Sequence, residues 1–223
     1  MKSNRASAWV VVVLGCLLGG GCDVIGGQVV VGSGKASEES RAVGRFDVIS
    51  IGGSGRLIFR QGDEESLKIK ADDNVLQYLT SSVEGNELRL GVRGNTSLQT
   101  HSPIVYTVTA RDLKAVHLSG SVAAQLDSVS TDRLEVSISG TGNVVVTGRA
   151  KQQTVDISGS GDYDGAACPG ATGEVHISGT GHVIVNVSGH LDAHISGSGD
   201  VDYLGHPSVS SHVSGTGHIS SRS

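Results

Sequence analysis

The sequence predicts an all-β fold, a parallel β-helix or β-solenoid with rungs of about 18 to 20 residues. One observation is a phrase that returns five times: Ile138-Ser-Gly-Thr-Gly142, Ile157-Ser-Gly-Ser-Gly161, Ile177-Ser-Gly-Thr-Gly181, Ile195-Ser-Gly-Ser-Gly199 and Val213-Ser-Gly-Thr-Gly217. The steps between copies are 19, 20, 18 and 18 residues, and a degenerate copy, Leu118-Ser-Gly-Ser121, stands 20 residues before the first. The other observation is the grammar inside each copy. Val136/Ile138, Val155/Ile157, Val175/Ile177 and Ala193/Ile195 alternate with polar residues, a period of two that turns the apolar members inward. No helical period separates the copies, and they are too close for a crossover helix, so neighbouring copies must stack to bury their apolar faces. An antiparallel β-sandwich or meander is the alternative. It accounts for the alternation but not for corners that recur in register.

Taken in chain order, residues 1–21 read as a lipoprotein-type signal peptide. Lys2 and Arg5 make a basic start, Trp9 to Leu18 an apolar run too short to span a membrane, and Gly19-Gly-Gly-Cys22 a small-residue cleavage site. Cys22 resembles the acylated cysteine of a bacterial lipobox, with the leucine, Leu18, one place early; Val13-Leu-Gly-Cys16 is a second match. Asp23 resembles an inner-membrane retention signal of some Gram-negative bacteria. The chain is therefore expected in the bacterial cell envelope, anchored to the membrane by lipid at Cys22, facing either the surface or the periplasm.

Residues 22–42 lack aromatic side chains and read as a flexible tether, with 43–223 as a single domain. Phe46-Asp-Val-Ile-Ser-Ile51, Leu57-Ile-Phe59, Leu67-Lys-Ile-Lys70, Leu88-Arg-Leu90 and Ile104-Val-Tyr-Thr-Val108 have strand character, separated by glycine-rich turns. Asp73 to Leu79 suits one or two helical turns capped by Asp72 or Asp73. In the repeat, the second strand of each rung is expected to point Val144/Val146, Val183/Val185/Val187 and Val201/Tyr203 inward.

The ordered series Phe46-Asp-Val-Ile, Gly53-Ser-Gly55, Gln61-Gly-Asp63, Asp73-Asn-Val-Leu76 and Gly85-Asn-Glu-Leu-Arg-Leu90, followed by Ile-Ser-Gly-Ser-Gly-Asp repeats, resembles the bacterial head-GIN domain family over roughly Val43 to Ser221. That family is labelled as autotransporter adhesins. The resemblance implies a right-handed β-helical fold in an exported envelope protein, and it carries no demonstrated activity.

Composition narrows the chemistry. Net charge is −5, and no Lys/Arg cluster interleaves with aromatics, which argues against nucleic acid. Beyond the leader only Cys168 remains as an unmodified thiol, so neither a disulfide framework nor a cysteine zinc site is available within one chain. Gly159-Ser-Gly-Asp-Tyr-Asp-Gly165 lacks the helix and third glycine of a dinucleotide loop and the nine-residue period of calcium-binding β-rolls. No serine sits in a Gly-x-Ser-x-Gly elbow. No cofactor is expected.

Two outward columns hold the candidate residues. After each corner come Asn143, Asp162, His182, Asp200 and His218, which stack near 5 Å apart; Asp162, His182, Asp200 and His218 are candidates for surface-ladder binding or metal ligation. Their alternation of acid and imidazole equally suits a ladder that avoids like charges. Asp156, His176, His194 and His212 form the other column. Stacked imidazoles repel one another once protonated, which predicts stability falling as pH drops through about 6.5.

The function expected is non-enzymatic: an adhesin, or a glycan- or protein-binding module, whose rungs multiply a weak contact. The rival is a structural component that self-assembles through exposed strand edges into trimers or longer stacks. A polysaccharide-active enzyme ranks third.

Overall fold

The computed structural model describes residues 27–222. The leader, Cys22 and Cys16 lie outside the described residues. Apart from a single 3-10 turn at Leu76–Tyr78, the regular structure is all strand.

The repeat region is a parallel stack. Its strands are β9 (Ala115–Gly140), β10 (Asn143–Gly159), β11 (Asp162–Gly179), β12 (His182–Gly197), β13 (Asp200–Leu204), β14 (Ser208–Gly215) and β15 (Ile219–Ser221). Each long strand bends around the core and pairs in parallel with the next. Ile138, Ile157, Ile177, Ile195 and Val213 fall on one column, as the repeated phrase requires. The inward columns are dry as far as the penultimate rung. Val136, Val155, Val175 and Ala193 are fully buried, and Val144, Val146, Val183, Val185, Val187 and Val201 continue the same core.

The corner glycines explain the phrase. At Gly179 the backbone φ is +142, and an added Cβ would strike the carbonyl oxygen of Gly159 on the rung beneath. The same collision recurs at Gly140, Gly159, Gly197 and Gly215. Only a residue without Cβ lets consecutive rungs approach to hydrogen-bonding distance here. The contact is held by bonds such as Thr180 N to Gly159 O and Ser198 N to Gly179 O, both 2.9 Å.

The N-terminal end is built differently. β3 (Val48–Gln61) runs parallel to β9 and supplies the first full rung. Beside it stand β4 (Ser66–Asp72), β5 (Leu79–Glu84), β6 (Glu87–Val92) and β8 (Val105–Ala110). β3 pairs in parallel with β6 and β8, whereas β4 with β8 and β5 with β6 are antiparallel. The antiparallel pairing weighed as an alternative for the whole chain is thus confined to this end.

The tether is corrected. Gln28–Val31 form β1, parallel to β7 (Thr96–Gln99), and Ala36–Arg41 form β2, antiparallel to β4. β2 reads Ala-Ser-Glu-Glu-Ser-Arg, without apolar alternation, because it is an edge strand held by its backbone ladder and by Arg41. That guanidinium donates to Leu76 O at 2.9 Å and Leu79 O at 2.7 Å, clamping the 3-10 turn. The expected capping role of Asp72 and Asp73 is also replaced. Asp72 is fully buried and accepts the backbone N–H of His101 at 2.8 Å and of Ser102 at 3.2 Å, while Asp73 accepts the Ser33 hydroxyl at 2.6 Å. Both carboxyls are held below the usual range, Asp72 chiefly by its bonds from Ser102 and Asp73 by Ser33.

Candidate functional site

Three outward columns run side by side along one face of the stack. The middle column is Ser137, Asp156, His176, His194 and His212, in direct register. Two residues earlier in each rung lie Glu135, Thr154, which is buried, Glu174, Asp192 and Ser210; two residues later lie Ser139, Ser158, Ser178, Ser196 and Ser214. The spacing follows from strand alternation, since residues two apart share a face. An open groove of about 520 Å³ follows this face, lined by His176, His194, His212 and by Ser178, Ser196 and Ser214 among others.

The rings of His176 and His194 lie 5.2 Å apart and nearly parallel, and His212 follows at 6.1 Å, tilted. The histidine stack expected from the sequence is present. What the sequence reading missed is the acid column beside it. His194 Nε2 stands 3.2 Å from Asp192, and His176 lies 3.5 Å from Asp156 and 4.0 Å from Glu174. These carboxylates counter the repulsion between protonated rings. The signal was legible as Glu174-Val-His176 and Asp192-Ala-His194, an acid two places before two of the three stacked histidines. The Asp156 carboxyl is pushed up, mainly by partial burial and further by Glu135 and Glu174, with His176 opposing.

The other column forms as a ladder of capped rungs. Asn143, Asp162, His182 and Asp200 are in register. Asp162 Oδ1 accepts the His182 backbone N–H at 3.1 Å, and Asp200 Oδ1 accepts that of His218 at 2.9 Å. The ring of His182 turns to Asp202, 3.2 Å away, and Asp202 also accepts the Ser220 hydroxyl at 2.6 Å. Ser220 is the main cause that holds the Asp202 carboxyl low. The acids thus stitch one rung to the next. Among the described residues no three His, Cys, Asp or Glu side chains are grouped to hold a metal ion. Two residues beyond His182, Ile184 is buried, in register with Asp164 and Asp202.

The interior holds one polar cluster that sequence periodicity did not reveal. Gln153 is buried, donates from Nε2 to Cys168 O at 2.7 Å and accepts the Tyr163 hydroxyl at 2.9 Å. A Cβ at Gly165 would strike the Tyr163 ring, so that glycine makes room for it. Burial raises the Tyr163 hydroxyl far above its ordinary range and pushes the Cys168 thiol up to about 11. Cys168 is a protonated core residue and not a nucleophile.

Residues 45–207 match the family described as "Putative auto-transporter adhesin, head GIN domain". The chain belongs to the head GIN domain family. The fold of this head GIN chain is shared by solved structures at low sequence identity. A putative adhesin from Bacteroides fragilis NCTC 9343 superposes with a TM-score of 0.72 at 20% identity, covering 86% of this chain and 100% of its own. Putative adhesins from Parabacteroides distasonis ATCC 8503 and Parabacteroides merdae ATCC 43184 give TM-scores of 0.54 and 0.52 at 18% and 19% identity. They cover 87% and 88% of this chain and 100% of their own. Among curated proteins none is significantly similar in sequence.

Proposed function

We propose that this head GIN protein is a non-enzymatic, exported envelope adhesin, anchored by lipid at Cys22, that holds an extended glycan or protein segment along the acid, histidine and serine columns. The observation that carries the reading is the groove. It sets an imidazole beside a serine hydroxyl on three successive rungs, His176/Ser178, His194/Ser196 and His212/Ser214, which suits a ligand that itself repeats. The adhesin label of the family and of the superposed structures supports the same class of role. Tyr106 and Tyr163 are buried and the one tryptophan, Trp9, lies in the leader, so ring stacking contributes little. Affinity then rests on many weak hydrogen bonds, each worth about 1 kcal/mol.

The test is retention on immobilised polysaccharides, native protein beside the His194→Ala/Ser196→Ala variant. Saturable retention lost in the variant, with unchanged melting temperature, supports the reading. Equal retention of both proteins, or none across the panel, removes the groove as the binding surface. Protease shaving of intact cells beside a Cys22→Ala control tests the location: rapid loss of the repeat region is expected if it faces outward, and protection until the envelope is broken removes adhesion.

A further inference from the structure

The two ends of the stack are finished in different ways. At the N-terminal end the outermost strand of the large sheet is β2, which carries Glu38, Glu39 and Arg41. Charges on an edge strand discourage pairing with another chain. At the C-terminal end the last strands are β14, Ser-Val-Ser-Ser-His-Val-Ser-Gly, and β15, Ile-Ser-Ser, and neither carries Asp, Glu, Lys or Arg. Every residue of β14 is exposed. Val209 and Val213 are 39% and 40% exposed, although they continue the columns of Leu191 and Ile195, which are 0% and 1% exposed one rung below. Among the described residues β14 pairs with β12 alone and β15 with β13 alone, so each leaves one edge of backbone donors and acceptors free.

We propose that the C-terminal rung is a docking face for a second copy of this chain, with the two β14 strands antiparallel across a two-fold axis at Ser211. The register follows from the strand itself. Directly opposed residues of an antiparallel pair must share a face, and a slip of one residue sets inward against outward side chains. With Ser211 on the axis, Val209 of each copy meets Val213 of the other on the inner face, and Ser210 meets His212 on the outer face. Apolar meets apolar, and no histidine faces a histidine. Because a two-fold pairing uses the same strand of both copies, the association closes at two copies instead of running on as a filament. The face is narrow, so the pair is weak in dilute solution, and confinement of both copies to one membrane surface would strengthen it.

The experiment uses the full mature chain in detergent. Two strands paired at Ser211 bring the two Cα atoms within about 4.5–5.5 Å, inside the span a disulfide bridges. Ser211→Cys should therefore give a disulfide-linked dimer under mild oxidation, about tenfold or more faster than Ser139→Cys, an exposed serine on the side of a lower rung. Sedimentation should show a dimer that grows with concentration. Ser211→Lys, which sets two like charges on the axis, should weaken that dimer about tenfold or more with an unchanged circular dichroism spectrum. Cross-linking of Ser211→Cys no faster than of Ser139→Cys would overturn the proposal. So would a monomer at all concentrations, or a dimer indifferent to both Ser211→Lys and Val213→Lys.

Discussion

The corner glycines do two jobs that can be separated by substitution. Gly85 sits in the β5–β6 turn with φ +64 and nothing within 4 Å of an added Cβ, so Gly85→Ala reports backbone conformation alone. Gly181 is not among the positive-φ residues, yet its added Cβ would collide with Gly161 O and stand 2.9 Å from Ile157 Cγ2, so Gly181→Ala reports the collision alone. Gly179 carries both. Placing alanine in a left-handed conformation costs about 1–2 kcal/mol. Relieving the collision means parting two rungs and weakening ladder bonds on both sides, about 1 kcal/mol each, or roughly 2–3 kcal/mol in all. Gly179→Ala should therefore destabilise by roughly 3–5 kcal/mol, near the sum of the other two. At about 2–4 °C per kcal/mol for a domain of this size, the melting temperature should fall by roughly 6–20 °C. Ser178→Ala, at an exposed position next door, should stay within about 0.5 kcal/mol. The assay is urea unfolding followed by circular dichroism, with thermal melts beside it. A Gly179→Ala loss no larger than that of Gly85→Ala would refute the argument, because it would mean the rungs are not in backbone contact at this column.

Further outcomes follow from the same structure. Ile177→Ala removes a side chain 2% exposed from the central column and should cost about 2–5 kcal/mol, read from the urea midpoint. Gln153→Leu strands the Tyr163 hydroxyl and Cys168 O in the core and should cost about 1–3 kcal/mol, much of it recovered when Tyr163→Phe is added, since that removes one unpaired group. Asp72, Asp202 and Glu87 have folded carboxyls held below their unfolded values, the last mainly by Ser50. Their contribution to stability is full above about pH 5 and is lost as pH falls through and below the usual carboxylate range near 4. Asp156 has the opposite sign: its raised carboxyl takes up a proton more readily in the folded state and so offsets part of the acid loss, and an Asp156→Asn melt should therefore be more acid-sensitive than the native one.

The parallel stack was legible because its physics is local and repeated. A β-branched residue two places before Ile157 or Ile177, a corner of glycines that cannot tolerate Cβ, and a constant step together fix which strand lies on which. The columns of candidate residues were legible for the same reason, since register carries every position to its neighbour on the next rung. The N-terminal strands were harder. β2 is polar throughout and is held by Arg41 reaching carbonyls 35 and 38 residues away in sequence, a contact that no period announces. Asp72 looked like a helix cap because its immediate surroundings suit one, yet its partners lie in the loop at His101 and Ser102. The acid column failed to register for another reason: it was visible, but each His was read along its column and not across it. In a stacked sheet a side chain has two sets of neighbours, those above and below by register and those two residues away in its own strand. His194 has both: His176 stacks on it by register, and Asp192, two residues away in its own strand, stands 3.2 Å from its Nε2.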